Sequence, residues 1–293
     1  MSSTDTSTLN CASCGKEGGN LNTCNKCKMV KYCNAACKKK HRSKHKKACE
    51  RRVAELHDEE LFKEHPPRED CPICFLPLPL FGNQAAFHSC CGKLICRGCM
   101  YAMKEESCGR GKIGLCAFCR EPYLSSDEEN IEKRMQKLIE AGHAYALFIL
   151  ASYYANGDCG MQQDGAKANE LFLRAGELGC AEAYYDLGVS YDNGEGVEVD
   201  KKKATYFYEL AAMNGDVAAR HNLGCDEGNA GNHHRAMKHF ILAARAGDKQ
   251  SLDTVKKGFM NGYVTKNEYT TTLRAYQQRH DEMKSKDRDK ATL

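Results

Sequence analysis

The sequence has no hydrophobic run long enough to cross a membrane and nothing that resembles an export signal. None of its apolar stretches reaches the 18 residues that a membrane-spanning helix needs. Its first ten residues, MSSTDTSTLN, have no apolar core after a basic start, which argues against a secretory leader. We therefore expect an intracellular protein, cytoplasmic or nuclear, with no membrane partner and with reduced thiols.

Features of small-molecule catalysis are also missing from the sequence. It has no glycine-rich phosphate-binding loop and no recognisable Ser-His-Asp set. The net charge is only +4, yet twelve Lys or Arg residues and a single acid, Glu50, lie between Lys26 and Arg52. Such a run can contact phosphates, but it lacks the interleaved aromatic residues that stack on bases. The pattern favours a solvated helix face over a nucleic-acid surface.

Cysteine is the residue that the chain has in excess. There are nineteen cysteines, and all but Cys108, Cys159, Cys180 and Cys225 fall into a regular pattern within the first 120 residues, as seven closely spaced pairs and Cys49, which is close to His45. Disulfides are the competing explanation, but they are rare in a reducing compartment. The spacing therefore predicts structural zinc, about four ions in two modules, with no coordination position left open for catalysis.

The first cluster contains eight candidate ligands in four pairs, enough for two tetrahedral zinc sites. These are Cys11, Cys14, Cys24, Cys27, Cys33, Cys37, His45 and Cys49. A C-x2-C pair on a tight turn directs two thiolates at one ion, and residues four apart share a helix face. We therefore expect Cys33 with Cys37, and His45 with Cys49, on helical turns.

This spacing, with Tyr32 directly before Cys33, resembles the MYND zinc finger over residues 11–49. The resemblance implies interleaved pairs, with Cys11, Cys14, Cys33 and Cys37 on one ion and the other four ligands on the second. It also implies docking of short proline-containing peptides from partner proteins. His41 lies four residues from both Cys37 and His45, so it is an alternative to His45; we expect it to be a hydrogen-bonded neighbour instead.

The second cluster again contains four pairs. The candidate ligands are Cys71, Cys74, Cys90, Cys91, Cys96, Cys99, Cys116 and Cys119. Over residues 71–123 the sequence resembles a RING finger of the all-cysteine variant, which implies that Cys71, Cys74, Cys96 and Cys99 hold one ion and the remaining four hold another. Because Cys90 and Cys91 are adjacent rather than separated, His88 is an alternative to Cys90.

RING fingers often act as ubiquitin ligases, which dock a charged ubiquitin-conjugating enzyme and catalyse by positioning its thioester. By the resemblance, Ile73 matches the apolar contact to that enzyme, and Arg120 matches the arginine that clamps ubiquitin onto it. Pro122 also follows in a familiar place. No residue of the chain is expected to do covalent catalysis.

Two departures from the RING pattern favour a scaffold without ligase activity. Ala117 stands where a proline is usual. The apolar contact after the sixth ligand is often tryptophan, and the chain has none, so Met100, Tyr101 or Met103 must replace it.

The region after the second cluster is repetitive at a step of 36 or 37 residues. Asn156-Gly157 and Asn193-Gly194 suit the left-handed end of a first helix, while Asp164 and Asp200 suit the N-cap of a second. The spacing resembles Sel1-like repeats, relatives of the tetratricopeptide class, and implies an all-α solenoid of helix-turn-helix units that binds proteins.

The predicted fold class is therefore small zinc-stabilised cross-brace domains followed by that solenoid. The segments are a disordered N-terminus 1–10, the MYND-type finger 11–49, a charged helical linker 50–70, the RING-type finger 71–123, the repeats 127–280 and a charged tail 281–293. Within these, Ser125 with Glu128 and Thr265 with Glu268 have the spacing of capping boxes.

The function that these modules predict is a zinc-binding protein-interaction protein. In the first reading it is a RING-type ubiquitin ligase that recruits a ubiquitin-conjugating enzyme through the RING and substrates through the other two modules. In the alternative reading it is a non-enzymatic adaptor. A lysine methyltransferase is disfavoured because no catalytic region flanks the first finger.

Overall fold

The structure is a computed structural model that describes residues 10–18, 20–65, 69–79, 85–108, 115–122 and 128–291. The predicted disordered N-terminus, the Pro66-Pro67 boundary and the capping box at Ser125 and Glu128 lie outside the described residues. The chain divides into two compact units, one ending at Lys63 and one beginning at Glu64.

The first unit combines a small antiparallel sheet with one long helix. Strands β1 (Asn22–Thr23) and β2 (Lys31–Tyr32) pair with Asn22 opposite Tyr32. Helix α1 (Ala35–Leu61) begins at Asn34, whose side chain accepts a hydrogen bond from the Cys37 backbone N–H. Because no glycine or proline interrupts it, the helix continues past residue 49, where the sequence predicted the end of the first finger.

The first strands of the second unit form a β-hairpin, and a helix follows it. Strands β3 (Ala85–His88) and β4 (Lys93–Cys96) are antiparallel, with His88 opposite Lys93. Their turn contains the adjacent cysteines at positions 90 and 91. Helix α2 (Arg97–Cys108) follows directly.

Nine consecutive helices lie between residues 128 and 283, and one short helix follows them. They are α3 (Glu128–Glu140), α4 (Ala144–Asn156), α5 (Gly165–Glu177), α6 (Ala181–Asn193), α7 (Lys201–Met213), α8 (Val217–Asn229), α9 (His233–Ala246), α10 (Lys249–Met260), α11 (Lys266–Met283) and α12 (Lys286–Lys290). Neighbouring helices contact one another in sequence order, as in a solenoid.

The predicted helix ends are confirmed. Gly157 and Gly194 are left-handed, with φ of 74° and 82°, and they end α4 and α6. The side chains of Asp164 and Asp200 cap α5 and α7, and Thr265 forms the predicted capping box with Glu268. These local signals position each repeat's two helices.

Close approach between paired helices depends on glycine. A Cβ atom added to Gly188 would lie 2.6 Å from the Tyr208 ring, and one added to Gly224 would lie 2.8 Å from the Phe240 ring. These two positions are equivalent in successive repeats. An aromatic ring of the second helix therefore lies directly on the backbone of the first, and this packs the core.

The second zinc module, defined here as residues 71–122, contacts the helices on two sides. The Phe87 ring lies 5.4 Å from the Tyr145 ring at the start of α4, measured between centroids. At the other end of the chain, α12 contacts α2. The segment 281–293, predicted as a charged tail, thus includes the end of α11 and a short helix that packs on the zinc module rather than extending into solvent.

No helix among the described residues is both long enough and apolar enough to span a membrane.

Candidate metal centres

The structure gathers the paired residues into four compact clusters. In each cluster the four candidate ligand atoms lie within 4.8 Å of one another. The clusters are Cys11, Cys14, Cys33 and Cys37; Cys24, Cys27, His45 and Cys49; Cys71, Cys74, Cys96 and Cys99; and Cys90, Cys91, Cys116 and Cys119. In both modules alternate pairs share a cluster, which is the interleaved arrangement that the two resemblances imply.

Four turns with the same geometry present four of the five C-x2-C pairs, and the fifth pair, Cys96 and Cys99, lies at the junction of β4 and α2. In each of the four turns, the residue after the second cysteine has a left-handed backbone, as in Lys28, Phe75 and Arg120 with φ of 56°, 55° and 64°. Its backbone N–H donates to the carbonyl oxygen of the first cysteine, for example Phe75 to Cys71 at 2.9 Å. The turn brings both thiols to one side, so each pair is a preformed half of a site.

Sulfur–sulfur distances fit a metal and not a disulfide. Cys14 and Cys33 are 3.7 Å apart, and Cys74 and Cys96 are 3.8 Å apart, measured between Sγ atoms. A disulfide needs about 2.05 Å. Four ligands about 2.3 Å from one zinc ion lie about 3.8 Å apart at the corners of a tetrahedron. The soft thiol donors and this spacing both fit zinc, and the protein binds it at more than one site.

In the first zinc module, defined as residues 11–49, two histidines of α1 have different contacts. The His45 Nε2 atom lies 3.2 Å from the Cys27 Sγ atom, and the ring is buried. His41, one turn earlier on α1, instead forms a hydrogen bond between its Nδ1 atom and the Tyr32 hydroxyl at 3.1 Å. The two imidazole rings stack with centroids 5.8 Å apart. The structure therefore places His45, and not His41, among the candidate ligands.

Cys33 and Cys37 are held differently from the expectation of two helical turns. Cys33 precedes α1, and only Cys37 lies in its first turn. Asn34 stands between them and caps the helix. The two sulfur atoms are nevertheless 3.4 Å apart, because the cap turns the chain sharply enough to bring them together.

In the second zinc module the hairpin turn supplies both adjacent cysteines. Cys91 Sγ lies 3.7 Å from Cys116 Sγ, and Cys90 belongs to the same cluster. His88 is buried at the end of β3, where it meets the Phe118 ring edge-on with centroids 6.3 Å apart. The structure thus places Cys90, and not His88, among the candidate ligands. Burial lowers the pKa of His88, because it disfavours the charged form of the ring.

Backbone N–H groups favour the thiolate form at the first cysteine of a turn. Burial opposes ionisation of Cys71, but backbone N–H groups of Cys74, Cys96 and Ile73 outweigh it and lower the pKa to about 7. The Cys96 N–H lies 3.4 Å from the Cys71 sulfur. Because zinc binds the thiolate, this hydrogen bonding favours metal capture near neutral pH.

The residues predicted to dock a ubiquitin-conjugating enzyme lie on the second zinc module. Ile73 lies within the first turn and packs in a small cluster that also includes Met100 and Met103. Arg120 follows the last cysteine, and its side chain is exposed. Pro122 is exposed and pairs with Leu115 in an isolated bridge. Ile73 therefore has the methionines of α2 beside it where a tryptophan is usual, while Tyr101 points outward and is 38% exposed.

The sequence analysis missed Arg288. Its guanidinium donates to the carbonyl oxygens of Pro77 and Leu76, at 2.8 and 3.2 Å, and lies 3.6 Å from the Cys74 sulfur. No local pattern indicates this contact, because Arg288 is one of many charged residues near the end of the chain.

Three of the four cysteines outside the pattern, Cys159, Cys180 and Cys225, are free thiols away from the clusters. The side chain of Cys108 lies outside the described residues.

Comparison with known families supports two of the three modules. The model of the MYND finger matches residues 11–49, and the model of the Sel1 repeat matches residues 144–180, 181–216 and 217–248. The chain thus carries a MYND finger and a solenoid of Sel1 repeats. Both are protein-interaction modules.

Similar solved structures are helical repeat proteins. A Sel1 repeat protein from Oxalobacter formigenes is 22% identical, with 62% of this chain and 71% of that chain covered and a TM-score of 0.45. The protective antigen c5321 of uropathogenic Escherichia coli strains, which displays an SLR fold, is 24% identical, with 53% of this chain and 34% of that chain covered and a TM-score of 0.45.

Proposed function

We propose that this protein is a zinc-stabilised adaptor whose second zinc module is of the RING type and recruits a ubiquitin-conjugating enzyme. The observation that carries the proposal is the interleaving of four cysteine pairs into two clusters, with Ile73 on the turn of one cluster and Arg120 on the turn of the other. Both turns have the same hydrogen-bonded geometry, so both side chains have defined backbone positions.

The chemistry assigned to this module is positioning. An apolar side chain at Ile73, backed by Met103, offers a contact to the conjugating enzyme. An exposed arginine after the last cysteine can hold the charged ubiquitin by two directed hydrogen bonds from its planar guanidinium. A thioester held in its reactive geometry reacts faster because less entropy is lost at the transition state.

Discharge of ubiquitin-charged conjugating enzymes to free lysine tests the proposal. The full chain should accelerate discharge by at least one enzyme of a broad panel, and Arg120→Ala should remove most of the acceleration. Arg174→Ala, an exposed arginine of α5, is the matched control and should leave it unchanged. An Arg120→Ala chain that is as active as the unchanged chain, or a panel without any acceleration, would overturn the ligase assignment.

A non-enzymatic adaptor is the second candidate, and the two interaction modules favour it. The family comparisons match the MYND finger and the Sel1 repeats and do not include the second zinc module. In this reading Ile73→Ala leaves all partner binding intact. Pull-down with the full chain and with that variant distinguishes the two functions.

A further inference from the structure

The repeat region contains an acidic cleft between its first two repeats. The cleft has a volume of about 580 Å³ and is bounded by α4, α5, α6 and the loop after α6. Its apolar lining includes Ala168, Phe172 and Val189, and its polar lining includes Asn169, Asp186 and Glu195. This size is typical of a ligand site, and an apolar floor with a few polar groups is typical of one as well.

Asp186 is one of the two carboxylates that line this cleft, with Glu195. In the described part of the chain its carboxylate has neither a hydrogen-bond donor nor a basic side chain as partner. Burial, together with the negative charges of Asp216, Glu182 and Glu195, raises its pKa to about 7. A half-buried carboxylate surrounded by other carboxylates is costly for a folded protein unless a cation reaches it.

Asn169 provides a second, independent observation that points to a ligand of this cleft. Its side chain is only 7% exposed, and its amide nitrogen donates to the Glu195 carbonyl oxygen at 2.7 Å. Its amide oxygen is buried and, among the described residues, accepts no hydrogen bond. Buried polar atoms without a partner are rare in folded proteins. Together with the Asp186 carboxylate, this oxygen gives the cleft two acceptor groups that have no donor as partner among the described residues.

We propose that this cleft binds a basic side chain, lysine or arginine, of a partner protein. The aliphatic part of such a side chain fits against Phe172 and Val189, and its charged end reaches Asp186. A lysine or arginine side chain supplies the positive charge and the donor that pair with the Asp186 carboxylate. The inference deepens the proposed function, since it assigns the Sel1 solenoid a class of partner, and it does not depend on ligase activity.

A divalent cation is a weaker explanation of the same acidic surroundings. Among the described residues, groups of three or more potential ligand atoms within 4.8 Å occur at the four cysteine clusters and not at Asp186. The carboxylates near Asp186 are therefore too far apart to share one ion. A lysine or arginine side chain does not need several carboxylates close together, because a single carboxylate can pair with its charge.

Peptide selection with the full chain tests the inference. The probe is a phage-displayed library of random twelve-residue peptides, selected on the zinc-loaded protein and on its Asp186→Asn variant. Asn is isosteric with Asp and removes the charge without removing the side chain. Glu170→Gln is the matched control, since it removes one exposed carboxylate from α5 outside the cleft.

The unchanged chain and Glu170→Gln should both enrich peptides with a lysine or arginine at a fixed position. Asp186→Asn should lose that enrichment and bind the selected peptides at least tenfold more weakly, while its melting temperature shows that it is folded. Equal binding by Asp186→Asn, or selection without a basic residue, would overturn the inference. Ubiquitin discharge is measured in a separate assay. A chain that does not accelerate discharge can therefore still show the expected peptide selection.

Discussion

The guanidinium of Arg288 lies 3.6 Å from the sulfur of Cys74, although the two residues are 214 positions apart in the chain. The same guanidinium donates hydrogen bonds to the carbonyl oxygens of Leu76, Pro77 and Met283. An arginine beside a metal-binding thiolate compensates its charge and orients it. The short helix α12 thus supports the second zinc module from outside.

Arg288→Ala should loosen the cluster that contains Cys74. Loss of a group that orients a metal ligand typically weakens metal binding by about 10- to 100-fold. We expect chelator-induced zinc release from the full chain to include a faster phase, measured with a colorimetric zinc indicator. Arg274→Ala, an exposed arginine of α11, is the control. Identical release curves for the two variants would contradict a supporting role for Arg288.

Gly98→Ala should displace α12 from the zinc module. A Cβ atom at Gly98 would lie 2.6 Å from the Arg288 backbone nitrogen, a contact that neither backbone can relieve without moving. Limited proteolysis should then remove the C-terminal segment faster. Gly228→Ala is the comparison, because its Cβ atom meets only Ala236 at 3.9 Å, and it should leave the cleavage rate unchanged. Equal protection in both variants would show that α12 tolerates the alanine.

His45→Ala should remove one zinc ion, whereas His41→Ala should not. His45 lies among the candidate ligands of the cluster formed with Cys24, Cys27 and Cys49, while His41 hydrogen-bonds to Tyr32. Native mass spectrometry of the full chain should show about four ions, about three after His45→Ala and about four after His41→Ala. Loss of an ion in the His41 variant alone would reverse the two assignments.

Asp186→Asn should stabilise the chain more at pH 8 than at pH 6. The folded pKa is about 7, above the ordinary value of 3.8, so the folded state favours the neutral acid. Its stabilising contribution is complete below about pH 4 and is lost as the pH rises through about 7. Burial is the largest cause of this raised pKa, and the negative charges of Asp216, Glu182 and Glu195 contribute to it.

The difference between the two pH values should be about 1 kcal/mol, which thermal melting of the variant and of the unchanged chain can measure. Glu170→Gln provides the baseline, because Glu170 is exposed. A stabilisation by Asp186→Asn that is independent of pH in this range would mean that Asp186 ionises normally in the folded chain.

Much of the local structure was predictable because its causes are local. A C-x2-C pair is a single turn, so the spacing of Cys71 and Cys74 suffices to predict a pair of ligands. Asn193-Gly194 and Asp200 act within one helix terminus, so helix ends were predicted to the residue. The pairing of clusters came from family resemblance, since spacing alone does not say which pairs share an ion.

Features that join distant segments came only from the tertiary structure. The sequence already favoured His45 over His41 as a ligand, but the hydrogen bond between His41 and Tyr32 is visible only in the structure. Arg288 reaches Cys74 because the helices return the chain end to the zinc module. The charge of Asp186 becomes significant only because neighbouring helices bury it beside other acids. The sequence by itself determined the ligand pairs and the repeats, because bond geometry and helix termini are short-range; burial and long-range contacts required the fold.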